Sequence, residues 1–156
     1  MCKPTIYFAA PLFNETERAF NEKIATDLEE FACVFLPQRD GSLLVDMIAA
    51  GVPLKVAESR VFAQDRRALA RADMLVAVLD GAHVDDGVAF ELGFASAIGC
   101  VCIGLQTDVR RALPTGNNPM MSGGLQEIFH DIGGLIAWVK DRAAIIESER
   151  QAIVAG

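Results

Sequence analysis

The chain has 156 residues, 52% of them hydrophobic, and a formal net charge of −7. That length sustains one compact domain, expected to span residues 1–156, and is too short for two ordinary ones. With 21 acidic against 14 basic residues and no lysine or arginine block, a nucleic-acid polymer is excluded as a partner.

Met1-Cys-Lys-Pro-Thr runs straight into an apolar segment without a signal-peptide pattern, so a cytoplasmic location is expected. Thr5 to Ala10 reads as a first strand, closed by Pro11. A helix follows, with Asn14 as its cap and Glu17 in the reciprocal position of a capping box. Phe20, Ile24, Leu28 and Phe31 then recur at helical spacing. Ala32 to Leu36 is a second strand, and Gln38 to Gly41 a polar loop beyond it. Leu43 to Gly51 reads as a short helix, and Pro53 opens a longer one reaching about Ala72.

Asp73 to Leu79 is a third strand. It feeds the run Asp80-Gly-Ala-His-Val-Asp-Asp-Gly-Val-Ala-Phe-Glu-Leu-Gly93, the start of another helix. Val101 to Leu105 is a fourth strand, and 107–124 a loop rich in Gly, Asn and Pro. A weak fifth strand is expected near Glu127 to Ile132, and a last helix from about Leu135 to Ile153. The apolar stretch from Val88 to Leu105 contains Glu91 and three glycines, so it reads as buried helix plus strand and no membrane span is expected.

Strands alternating with helices imply a parallel sheet covered on both faces. The expected fold is α/β: a flavodoxin-like (Rossmann-like) doubly wound sheet of about five strands. Its ligand belongs at the carboxyl ends of the strands, near the switch in strand order.

The unusual polar residues gather at those ends. Between Val88 and Ile98 the only charge is Glu91, and an unpartnered buried carboxylate is costly. Asp85 or Asp86 can cap its helix, whose positive end would favour an ionised Glu91. Asp65 shares an apolar helix face with Val61, Ala68, Leu69 and Ala72, opposite Arg60, Gln64, Arg67 and Arg71. Tyr7, the single tyrosine, lies in the first strand and needs a partner if buried. A carboxylate nucleophile with a second acid assisting the leaving group is the apparatus of glycoside chemistry, and Glu91 with Asp65 or Asp85 fits it.

Phosphate-binding glycine loops, G-x-S-x-G and Cys/His pairings are absent, so no cofactor is expected. Cys2, Cys33, Cys100 and Cys102, with His83 and His130, lack metal-ligand spacing, so no metal is expected and the cysteines read as reduced core thiols.

Ile6 to Phe13, Phe35 to Gly41, Asp65, Ala72 to Gly81, Asp85 to Phe94 and Asn117 to Met121 together resemble the nucleoside 2-deoxyribosyltransferase family. The D-x-G-x-x-x-E-L-G pattern from Asp85 to Gly93, with Asn-Pro-Met downstream, is the more specific part. The resemblance implies that Glu91 attacks C1′ of a 2′-deoxynucleoside and that a free nucleobase then takes the sugar, a step of nucleotide salvage. It implies that Tyr7 orients Glu91, Asp65 manages the base's proton, Asp85 binds the 5′ side of the sugar and Gly87 lies against the substrate. Gln38 would face the base. Asn118 and Met120 would complete a neighbouring subunit's site, implying a homo-oligomer. Family members often add a C-terminal aromatic, whereas no aromatic follows Trp138 here.

Two other readings share these residues. A nucleoside 5′-monophosphate N-glycosidase would hydrolyse the same bond, but Asp85 would repel a phosphate dianion. A sensor of nucleotide-derived ligands would keep the pocket without turnover.

Overall fold

The structure is a computed structural model that describes residues 3–155. Five parallel strands form one sheet: β1 (Thr5–Ala9), β2 (Cys33–Phe35), β3 (Met74–Val78), β4 (Val101–Leu105) and β5 (Glu127–Phe129), in the order β2-β1-β3-β4-β5. This is the expected flavodoxin-like arrangement, with the switch in order between β1 and β3. Seven helices connect the strands: α1 (Glu15–Leu28), α2 (Pro37–Asp40), α3 (Leu44–Ala49), α4 (Leu54–Leu69), α5 (Asp86–Ala97), α6 (Pro119–Gly123) and α7 (Ile132–Ala155).

The strands alternate their side chains between two apolar layers, as a period of two requires. Ile6, Phe8, Met74, Val76, Val78, Ile103 and Leu105 pack against Ile24 and Leu28 of α1 and Leu135 and Val139 of α7. Tyr7, Ala9, Leu75, Ala77, Leu79 and Cys102 face the other way, onto Leu69 of α4 and Val88, Leu92 and Ala95 of α5. Tyr7 therefore points to the layer that carries Asp65 and Glu91.

Local chemistry sets the helix starts. Asn14 Oδ1 accepts the Glu17 N–H at 2.9 Å, while Glu17 reaches back to the Phe13 N–H at 2.8 Å, one residue before the amide of a standard capping box. Three segments differ from expectation. The polar loop after β2 is the short helix α2, because Pro37 supplies a preset φ at its first position. Asn118 caps α6 inside the expected 107–124 loop, again ahead of a proline. The last helix starts earlier, at Ile132, where Asp131 accepts the Gly134 N–H at 2.7 Å.

Cysteine placement also differs. Cys102 is buried and Cys100 half-buried, but Cys33 is exposed, because β2 is the edge strand and its α4-side face is incompletely covered. Cys2 lies outside the described residues. No helix among them is long and apolar enough to cross a membrane.

Candidate active site

β1, α4 and α5 converge on one carboxylate. Glu91 sits in the second turn of α5, facing the sheet, and its Oε1 accepts a hydrogen bond from Tyr7 Oη at 2.5 Å. Tyr7 is fully buried. Its ring stacks on Phe35 of the neighbouring strand, centroids 5.4 Å apart, which braces the phenol laterally.

A cavity of about 320 Å³ opens beside this pair, lined by Asp65, Leu69, Gly87, Phe90 and Glu91, with Val61 and Phe62 from the same face of α4. Its size suits a small molecule. The wall is mostly apolar; Glu58 and Arg66 also line it, alongside Asp65 and Glu91.

The surroundings set their charge. Burial pushes Glu91 up to about 7, against the hydrogen bond from Tyr7, which pulls it down; the nearby charges of Asp65 and Asp85 raise it further. Burial alone raises Asp65 to about 6. The Tyr7 hydroxyl is held above its ordinary value, by burial first and then by Glu91 and Asp65, so it stays a donor.

The helix dipole does not act on Glu91 as the sequence suggested. α5 begins at Asp86, and Asp85 consumes its terminal amides: Oδ1 accepts Gly87 N–H at 2.9 Å and Val88 N–H at 3.1 Å. Glu91 lies beyond the first turn, where the field has fallen off. Burial thus raises Glu91 toward neutrality, and the Tyr7 hydroxyl opposes that rise.

Tyr7, Asp65, Gly87 and Glu91 come together at this place, and Asp85 stands just beyond, at the helix start. Asp85 also lines a second cavity of about 510 Å³ at the carboxyl ends of β1 and β3, with Phe13, Asp80, His83 and Thr107. Asp80 ties that region, its carboxylate accepting from Thr107 N–H at 2.6 Å, Thr107 Oγ1 at 2.6 Å and Asp108 N–H at 3.0 Å.

Gln38, Asn118 and Met120 are not brought to Glu91. Both ends of the Gln38 amide are spent on α1: Oε1 accepts from Asn21 Nδ2 at 3.0 Å and Nε2 donates to the Arg18 carbonyl at 2.9 Å. Asn118 Oδ1 accepts the Met120 N–H at 2.9 Å, and Met120 is 84% exposed. Among the described residues, no group of three His, Cys, Asp or Glu side chains could hold a metal ion.

The sequence reading missed Phe62 and Phe90, whose rings lie 6.1 Å apart at the mouth of the Glu91 cavity, with the Arg66 guanidinium 5.8 Å from the Phe62 centroid. Spacing alone offers only Phe62, three residues before Asp65; its meeting with Phe90 depends on α4 lying beside α5.

Comparison with known proteins agrees with this fold. A conserved protein from Enterococcus faecalis V583 superposes with a TM-score of 0.71 at 25% identity, covering 90% of this chain and 99% of that one. A 2-deoxyribosyltransferase from Bacillus psychrosaccharolyticus gives 0.62 at 24%, covering 85% and 90%. A CMP N-glycosidase from Clostridium botulinum gives 0.56 at 17%, covering 86% and 97%. The last two likenesses speak to the fold alone. A search of curated proteins finds no match. The family model for nucleoside 2-deoxyribosyltransferase matches residues 6–150, almost the whole chain, and on that match the chain belongs to the nucleoside 2-deoxyribosyltransferase family.

Proposed function

We propose that the protein transfers 2-deoxyribose between nucleobases through a covalent ester on Glu91. The observation that carries this reading is the Tyr7–Glu91 hydrogen bond at the wall of a cavity that also holds Asp65. A Glu91 oxygen attacks C1′ of a 2′-deoxynucleoside, and the C1′–N bond breaks. Its electron pair goes to the base nitrogen. Asp65, raised to about 6, is able to carry the proton that this nitrogen takes up. A ring nitrogen of the incoming base then attacks C1′, Glu91 leaves as carboxylate, and the proton that this nitrogen sheds goes to Asp65. Two inversions restore the β configuration. Water in place of the second base gives hydrolysis.

Tyr7 positions Glu91 in this scheme. Asp85 and Gly87 take the 5′ side of the sugar. Asn118 and Met120, exposed on α6, would reach the cavity of a neighbouring subunit in a homo-oligomer. Gln38 would meet the base only by releasing Asn21 and the Arg18 carbonyl.

Hydrolysis of a nucleoside 5′-monophosphate is the second reading, motivated by the N-glycosidase likeness. Against it, Asp85 places a carboxylate over the α5 terminus, where a phosphate would otherwise find free amides.

The decisive experiment incubates the protein with deoxyadenosine plus free cytosine and looks for deoxycytidine, with deoxyadenosine 5′-monophosphate in parallel. Swapped nucleoside, lost by several orders of magnitude in Glu91→Gln, is the expected result. Faster base release from the monophosphate favours the hydrolase, and activity surviving Glu91→Gln refutes the covalent route.

A further inference from the structure

A separate cavity of about 420 Å³ lies between β2 and α4, at the open edge of the sheet. Its wall is largely apolar, from Val34, Phe35, Ala68 and Ala72, and its rim carries Arg67 and Arg71. Arg67 lies in the last turn of α4 and Arg71 two residues beyond its end, and neither forms a salt bridge among the described residues. The carboxylate at the cavity, Asp40, is already satisfied by the Arg39 guanidinium at 3.0 Å and the Leu36 N–H at 2.8 Å. An adjoining cavity shares Gln64 and Arg67 and adds Lys55 and Arg60. One side of α4 is therefore cationic in a chain of net charge −7.

Two unpaired guanidiniums beside an apolar wall recognise an anion with an apolar body. The wall includes an aromatic ring, Phe35, and nucleobases are flat bodies that stack on such rings. The cavity falls in the size range of small-molecule sites. We propose that this groove binds a nucleoside 5′-monophosphate as an effector, its phosphate held by Arg67 and Arg71 and its base laid against Phe35. Phe35 stacks on Tyr7, and Tyr7 holds Glu91, so the occupant bears on the ring that braces the catalytic pair. That regulatory consequence rests on the transferase reading; the binding does not.

Calorimetric titration of the whole protein tests it, using adenosine 5′-monophosphate, adenosine and inorganic phosphate as probes. The monophosphate should bind wild type and Glu91→Gln alike. It should bind at least about tenfold more weakly to the Arg67→Gln/Arg71→Gln double variant. Adenosine and phosphate alone should each bind at least about tenfold more weakly than the nucleotide. Contacts between base protons and the Phe35 ring, seen by NMR on wild type, provide a check independent of any variant. Absent binding, equal binding by the double variant, equal binding of bare phosphate, loss in Glu91→Gln, or no contact to Phe35 each overturns the proposal. So does self-association abolished by the double substitution without nucleotide binding, which would make a second copy the occupant. A protein that binds the nucleotide here yet swaps no bases leaves this site standing and removes only the transferase reading.

Discussion

Tyr7 Oη donates to Glu91 Oε1 at 2.5 Å from a fully buried strand position, so the phenol steadies the carboxylate and favours its charged form. Tyr7→Phe removes that donor. A hydrogen bond to a charged group is worth about 1.5–3 kcal/mol, so turnover at pH 7 should fall roughly 10–100-fold. The same variant should shift the acid limb of the pH–rate profile upward, which a purely structural loss would not do.

Turnover should peak between about 6 and about 7, because Glu91 must shed its proton while Asp65 keeps one to give. Stability should instead fall steadily as pH rises through this range. Glu91 holds its proton more tightly folded than unfolded, so its contribution is fully present below about 4.5 and is lost as pH rises through about 7. Asp65 acts in the same sense between 3.8 and about 6. Glu91→Gln should therefore melt higher than wild type at pH 8, by an amount of order 1–3 kcal/mol, and the gain should vanish near pH 4. Thermal melts across pH check both directions.

Asp85 has two duties that substitution separates. Asp85→Ala uncaps α5 and should cost about 1 kcal/mol, a drop of about 2–4 °C in Tm. Asp85→Asn keeps the capping oxygen and should melt near wild type while binding deoxynucleoside more weakly. A matched fall in stability for both variants would show that the charge, not the cap, matters.

Asp80→Ala removes the acceptor of three hydrogen bonds from Thr107 and Asp108. The segment it loosens leads to Asn118, so KM should rise several-fold with a smaller change in kcat. Hydrogen exchange at Thr107 and Asp108 should quicken in parallel.

Much of this architecture was legible because its signals are local. Alternating apolar strands and helices gave the doubly wound sheet, and Asn14 with Glu17 gave the first helix start. Glu91, Asp65 and Tyr7 stood out as polar residues in apolar settings, and family resemblance joined them. Residues whose roles depend on a distant partner were not legible. Gln38 reads as a free loop amide until Asn21 and the Arg18 carbonyl are seen to occupy it. Cys33 reads as core until β2 is found at the sheet edge. Phe62 and Phe90 look like ordinary apolar helix positions, yet they meet only where α4 and α5 lie side by side.

The two atoms of the Tyr7–Glu91 bond belong to residues 84 positions apart, on the interior strand β1 and on α5. No fragment short of the assembled β1–β3–α5 core can create it. Catalysis should thus be an all-or-none reporter of the native state: in rising denaturant, activity and far-ultraviolet ellipticity should vanish along a single curve.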